Sequence, residues 1–238
     1  HINNALEKFG DYMYRYRDYY QKHDLAPLLS GENWKGNTNE GLSGIAGIAW
    51  LRGACNDGDH WKSSKKTQIS QDKGGFWQGT YTFAHELAHN LNVLHDGDSN
   101  SWGDASQCPW SEGYIMSYDG WGKPNKFRFS SCSRRLIAEF LRSDQSDCLK
   151  RNAASSSWAP ANQDAGDRLS MDTQCKAHLN RRDARVDTSK SPDELCTNLS
   201  CIYKDRCSWG DNCDWYSTLN YAAFDNSPCG NNGGVSFY

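Results

Sequence analysis

The amino-acid sequence predicts an α/β (α+β) domain followed by a small disulfide-rich module, and three features carry that expectation. Apolar residues recur at helical spacing and in short strand-length runs over residues 1–150. Four of the ten cysteines lie in that stretch, whereas six fall between Cys175 and Cys229. Between the two parts, Asn152-Ala-Ala-Ser-Ser-Ser-Trp-Ala-Pro-Ala-Asn162 is rich in small residues and reads as a linker. The expected division is therefore 1–150 for the larger domain, 151–165 for the linker and 166–238 for the cysteine-rich module.

The elements follow in order. Ile2, Leu6, Phe9, Met13, Tyr16 and Tyr20 alternate at steps of four and three, predicting an amphipathic helix that ends near His23-Asp24. Gly10 weakens that helix slightly. Gly47-Ile48-Ala49-Trp50-Leu51 and Thr67-Gln68-Ile69-Ser70-Gln71 are short enough for strands. Lys62-Ser63-Ser64-Lys65-Lys66 reads as a solvated loop. A second helix is expected from about Thr80 to Leu94, with Leu87, Leu91 and Leu94 on one side. A third follows Ser131 and should bury Leu136, Ile137, Phe140 and Leu141.

Composition excludes several classes. Basic and acidic residues number 26 and 29, neither gathered into a stripe, so a nucleic-acid footprint is not expected. No apolar run approaches the roughly 18 residues of a membrane-spanning helix. Ten cysteines with no C-x-x-C pair favour disulfides over metal clusters and point to a secreted, extracellular protein. Asn198-Leu199-Ser200 forms an N-glycosylation sequon, which agrees with secretion.

The informative stretch is His85-Glu86-Leu87-Ala88-His89-Asn90-Leu91-Asn92-Val93-Leu94-His95-Asp96. His85 and His89 lie one helical turn apart, so both imidazoles can reach one zinc ion. Glu86, beside the first histidine, can take a proton from a metal-bound water and later deliver it to a leaving amine. His95 can be the third ligand only if the helix ends and the chain turns back; Asn92 suits that turn because Asn tolerates the left-handed conformation. Three nitrogen ligands leave the fourth position to water, the mark of a catalytic zinc. A chance cluster on an amphipathic helix would produce this four-residue pattern in roughly two of ten thousand such chains. His1, His23, His60 and His178 lie in no such spacing and read as solvated or locally bonded side chains.

This string resembles the zinc signature H-E-x-x-H-x-x-G-x-x-H of the metzincin endopeptidases. Asn92 in place of the glycine, with Asp96 after the third histidine, is similar to the adamalysin (reprolysin) branch and, within it, to the proteases carrying thrombospondin motifs. Tyr114-Ile115-Met116-Ser117-Tyr118 resembles the metzincin methionine turn, which implies Met116 as the base of the metal site. The resemblance implies a mixed sheet with an active-site helix, one catalytic zinc, and secreted zinc-dependent endopeptidase activity with Glu86 as general base and acid. Tyr118 stands where related astacins and serralysins hold a tyrosine that can ligate zinc; it is either a fifth ligand or transition-state donor, or a tyrosine lining the substrate pocket.

His23-Asp24-Leu25-Ala26-Pro27-Leu28-Leu29 resembles the adamalysin segment leading into a sheet strand. The run from Gly47 to Cys55 resembles the edge strand along which substrate lies, making Gly47, Ile48, Ala49, Ser117 and Tyr118 candidate substrate contacts. Ser131-Cys132-Ser133 matches as well. The likeness further implies the disulfides Cys55–Cys148 and Cys108–Cys132, leaving six cysteines to pair in the small module. Calcium is uncertain: Asp24 matches a family ligand, but Arg151 stands where another is expected, so an intact site is not predicted.

Beyond the linker, Gly166 to Cys175, Cys196-x4-Cys201 and Ser227-Pro228-Cys229-Gly230 look like a disintegrin-like module, with fewer cysteines than the family's eight and no Arg-Gly-Asp. Proteases of tick-saliva or venom type are built from such parts. In the family the zinc helix is preceded by about twice as much chain as here, so two strands and a helix are expected to be missing, and a separate N-terminal fragment or second chain would complete the sheet. The competing expectation is a non-catalytic zinc-fold protein that binds a matrix or blood protein through the cysteine-rich module.

Overall fold

The structure is a computed structural model that describes residues 1–38, 41–72, 78–119, 123–151, 169–207, 212–218, 223–224 and 227–229. The linker expected at 152–162 lies outside them. The chain divides into two compact units, 1–155 and 156–238, which are described separately.

In the larger unit, α1 (Ile2–Arg15) buries Ile2, Leu6 and Met13 and ends eight residues before His23. Tyr16 and Tyr20 thus fall outside the helix. The stripe stops there because the tyrosines find one another instead of the core: Tyr12, Tyr16, Tyr19 and Tyr20 are all exposed, their rings meet in tilted and edge-on contacts, and the Tyr12 and Tyr20 hydroxyls meet at 2.7 Å. Gly10 is required by a close approach. A Cβ placed there would lie 2.6 Å from the Ser64 carbonyl oxygen, and the Ser64 amide donates to the Gly10 carbonyl at 3.0 Å. That contact also overturns the solvated reading of 62–66. Ser63 and Ser64 are buried against α1, Lys66 is buried with its ammonium donating to the His23 carbonyl and pairing with Asp57, and Lys62 stays exposed.

Strand β1 (Ala26–Ser30) is followed by a hairpin of β2 (Lys35–Thr38) and β3 (Gly41–Gly44), which the glycine-rich sequence did not suggest. Strands β4 (Gly47–Ala49) and β5 (Thr67–Gln71) join β1 in a mixed sheet of order β1-β5-β4, with β1 parallel and β4 antiparallel to β5. β4 is shorter than expected, since Trp50 and Leu51 leave the ladder. Ile69 at the centre is opposite both Leu28 and Ile48, and with Ile2 and Leu6 it forms the core between α1 and the sheet.

Helix α2 (Gln78–Asn90) packs on β5 and β4 and stops four residues before Leu94. Leu94 is buried beyond the helix end, together with Ala88, Val93, Ile115, Met116 and Leu136 in a second core. The strands β6 (Ser99–Asn100) and β7 (Gly103–Asp104) form a small ribbon. Helix α3 (Ser131–Arg142) begins at Ser130, whose hydroxyl accepts from the Ser133 amide. It buries Leu136 and Phe140, but Leu141 is exposed, one step round the helix from Phe140. A short α4 (Asp147–Lys150) brings Cys148 to Cys55, and Cys108 joins Cys132.

The smaller unit has an antiparallel sheet of β8 (Arg185–Val186), β9 (Ser200–Arg206) and β10 (Asn212–Thr218), in the order β10-β9-β8. Helices α5 (Met171–Leu179) and α6 (Pro192–Thr197) flank it. A core of Cys175, Ala184, Leu195, Leu199 and Cys201 is fastened by Cys175–Cys201, with Cys196–Cys229 and Cys207–Cys213 further out. Asn198 of the sequon is half-buried at the end of α6, and Ser200 is buried in β9.

Gly10→Ala is expected to destabilise the larger unit by about 1–3 kcal/mol, because the added methyl meets backbone and not a movable side chain. Helix propensity alone would give a gain of about 1 kcal/mol. Urea unfolding of the two proteins separates the outcomes.

Candidate metal centre

α2 presents His85 and His89 one turn apart, and the way it ends brings in the third histidine. Asn92 adopts φ +70°, its amide donates to the His89 carbonyl at 2.9 Å, and the Val93 amide donates to Ala88 at 2.9 Å. This is a left-handed helix termination at a residue that tolerates it. The Asn92 side-chain amide donates to the Trp102 carbonyl at 3.1 Å, anchoring the reversal to the β6–β7 ribbon. The chain then returns so that ligand atoms of His85, His89 and His95 all lie within 4.8 Å of one another, with Nε2 of His85 and His95 3.2 Å apart.

Backbone carbonyls select the tautomers. His85 Nδ1 donates to the Ile115 carbonyl and His89 Nδ1 to the Val93 carbonyl, each at 2.8 Å, leaving both Nε2 lone pairs free. His95 Nδ1 lies 3.5 Å from Asp98 Oδ2. Burial, reinforced by the neighbouring histidines, pushes all three imidazoles down to about 4, so they are neutral at pH 7. Converging neutral lone pairs repel one another unless a cation lies between them. A tetrahedral zinc with bonds of about 2.05 Å sets its ligand nitrogens about 3.3 Å apart, close to the separation found. The donor set therefore fits zinc.

Glu86 is buried, and burial pushes its carboxyl up to about 8. It lies against the sheet edge: a Cβ built on Gly47 would be 2.5 Å from Glu86 Oε1 and 2.7 Å from both Glu86 Cγ and Thr82 Cγ2. Gly47, Ile48 and Ala49 are half-buried on β4, which borders the sheet among the described residues. Met116 is fully buried in the same core as Ala88 of α2. Ser117 is fully buried too, its hydroxyl donating to the Trp110 carbonyl at 2.7 Å.

Tyr118 is the exposed member of that loop. Its hydroxyl donates to His95 Nε2 at 3.1 Å, and its ring stacks on His85 at 5.6 Å. Desolvation of that hydroxyl, then the charges of Glu86 and Asp98, push it up to about 12. Asp96 is buried; its amide donates to the Met116 carbonyl at 3.0 Å and Oδ1 accepts from the Ser130 hydroxyl at 2.6 Å, tying His95 to the methionine loop and to the start of α3. Desolvation raises the Asp96 carboxyl above its usual range. Three contributors were not singled out from the sequence. Ser130 could have been found as the N-cap of α3. Tyr81, whose hydroxyl lies 3.1 Å from the Ile115 and Ser117 carbonyls, and Trp110, 5.0 Å from Tyr118, carry no local signal.

A mixed sheet over a helix bearing two of three convergent neutral histidines, with a buried glutamate beside them, defines the zinc metalloendopeptidase class. The family model for metallo-peptidase family M12 matches residues 2–130, more than half of the chain. The chain belongs to that family, and its relatives place it with the thrombospondin-motif type. A silkworm (Bombyx mori) protein named "A disintegrin and metalloproteinase with thrombospondin motifs like" is 29% identical over 95% of this chain and 31% of its own length. The human protein numbered 18 of that name is 30% identical over 76% of this chain and 14% of its own. The mouse protein numbered 16 is 34% identical over 54% and 9%. The chain thus spans about a third or less of the length of these curated relatives.

Protein stripped of metal by a chelator is expected to be most stable near pH 6.5. The histidines, near 4 in the fold against 6.5 unfolded, lose stability as pH falls through that interval; Glu86, near 8 against 4.5, loses it as pH rises from 4.5 to 8. Thermal midpoints between pH 4.5 and 8 check this, and a steady rise up to pH 8 would contradict an enclosed, uncharged Glu86.

Proposed function

We propose that this chain is the catalytic part, with an attached cysteine-rich module, of a secreted zinc endopeptidase that hydrolyses peptide bonds of extracellular proteins. The observation that carries the proposal is the convergence of three histidines, the first of them next in sequence to a Glu86 that packs against Gly47 of β4. Five disulfides that use all ten cysteines support an oxidising destination. No described helix is long and apolar enough to cross a membrane.

His85, His89 and His95 would hold the ion through Nε2; when bound, zinc supplies Lewis-acid polarisation of water and of the scissile carbonyl. β4, which borders the sheet among the described residues, would receive an extended peptide as an added strand, which accommodates many side chains. Glu86 accepts a proton from the attacking water as the C–O bond forms, then delivers it to the nitrogen as the C–N bond breaks. Burial raises its affinity for the proton, and a cation held by the histidines would lower it again toward neutral pH, so both transfers are accessible. Tyr118, whose hydroxyl reaches His95 Nε2, would donate to the carbonyl oxygen as negative charge develops there.

The remaining parts of the reading are a disintegrin-like module that positions substrate, glycosylation at Asn198, and a further polypeptide segment that pairs with β1. Leu29 on β1 is exposed, and β1 borders the sheet among the described residues.

Glu86→Ala should retain one zinc per chain and lose about 10²–10⁴-fold in peptide turnover, whereas His89→Ala should lose the zinc itself. Turnover within tenfold of the parent by the Glu86 variant would remove its assigned role. Gly47→Ala should also keep zinc yet turn over peptide at least about tenfold more slowly, because the new methyl occupies the place of the carboxylate. Metal analysis beside casein or gelatin hydrolysis, with and without chelator, measures all three.

A further inference from the structure

Where the chain leaves β4, Arg52 adopts a left-handed conformation at φ +59°, uncommon for a residue with a long side chain. Its amide donates to the His89 carbonyl at 3.0 Å, which fixes this turn to the end of the histidine-bearing helix. Its guanidinium lies 4.4 Å over the ring of Trp102, itself 54% exposed. One edge of the guanidinium donates through Nη2 to the Gln145 side-chain carbonyl, while Nε is buried with no partner. Among the described residues no carboxylate pairs with this cation. Leu51, Arg52, Ala54, Asn56, Trp102 and Gln145 line a hollow of about 510 Å³.

We infer that this hollow is a subsite for an acidic side chain, Asp or Glu, of a peptide lying along β4; the inference rests on the peptidase reading above and names a preference within it. A planar cation held flat on an indole keeps its geometry without a counter-charge, and its fork matches a carboxylate. Asn56 and Gln145 add neutral polar residues to the lining. The location ties the site to a peptide backbone. Gly47 faces Glu86, and Arg52 follows five residues on, at most about 16 Å of extended chain. The acidic residue therefore sits about three to five positions from the bond cleaved, on the side toward which β4 runs.

The test uses the full chain carrying Glu86→Ala, loaded with zinc, and a series of ten-residue peptides in which one Glu is moved through successive positions, each paired with its Gln counterpart. At one position the Glu peptide should bind about tenfold tighter than the Gln peptide, a difference that shrinks in 0.5 M salt (roughly a 4 Å Debye length) and falls below about twofold in Arg52→Gln. Arg52→Lys should restore part of it, since charge returns without the fork. The Glu–Gln comparison on the chain with Arg52 intact carries the test even if a substitution there impairs folding. Equal binding at every position, no binding at all, or selectivity confined to a sulfated oligosaccharide would overturn the assignment. Turnover of the same peptides by the unsubstituted zinc-loaded chain reads the peptidase assignment separately: acid-selective binding without turnover would sink that assignment and leave the subsite standing.

Discussion

The site depends on keeping three imidazoles uncharged and aimed at one point inside a protein. Burial keeps them neutral, and two of them are aimed by Nδ1–H hydrogen bonds donated to backbone carbonyls, of Ile115 and Val93, that belong to loops and not to α2 itself. A few long-range hydrogen bonds hold those loops. Asn92 ends the helix, Trp102 receives the Asn92 side chain, Tyr81 reaches the carbonyls of the methionine loop, and Asp96 joins that loop to Ser130 at the start of α3. The loss of any one of these would let an imidazole rotate or charge, and the convergence would fail for reasons remote from the histidines themselves.

Close approach is the second theme. Gly10 lets α1 settle onto the 63–64 backbone, and Gly47 lets the Glu86 carboxylate lie against the sheet edge. Both glycines are selected by space and not by dihedral angle, since neither has a positive φ. Helix propensity argues against Gly10, and strand propensity against Gly47; packing overrides both.

One disulfide fixes the turn that carries Arg52. Cys55 sits at φ +64°, three residues after Arg52 at φ +59°, so the turn out of β4 concentrates backbone strain beside the proposed cleft. Its bridge to Cys148, closing a separation of 93 residues, fixes that turn to the end of the α3–α4 segment that also supplies Gln145. In the chain-entropy picture a loop of this length contributes roughly 4–5 kcal/mol. The smaller unit leans on the same device more heavily, with three bridges around a core of a few small apolar side chains.

The histidine cluster was legible in the sequence because its spacing is local: one helical turn between His85 and His89, and a residue suited to the left-handed region before His95. Helical stripes and short strands were legible for the same reason, though the ends were not. α1 stopped at Arg15 because a periodic pattern continues past the point where the core runs out, as Tyr16 and Tyr20 show, and α2 stopped at Asn90 because the chain reverses at Asn92 and carries Leu94 into the core from beyond the helix. Lys62 to Lys66 looked solvated because charge was all the sequence displayed; the burial of Ser63 and Ser64 comes from contact with a helix fifty residues earlier. The nearness of Glu86 to Gly47, the carbonyls that orient the imidazoles, and the stacking of Arg52 on Trp102 all join residues far apart in the chain. Sequence determined which groups could take part in the chemistry, and the tertiary structure decided which of them meet, because only packing converts spacing along the chain into distance in space.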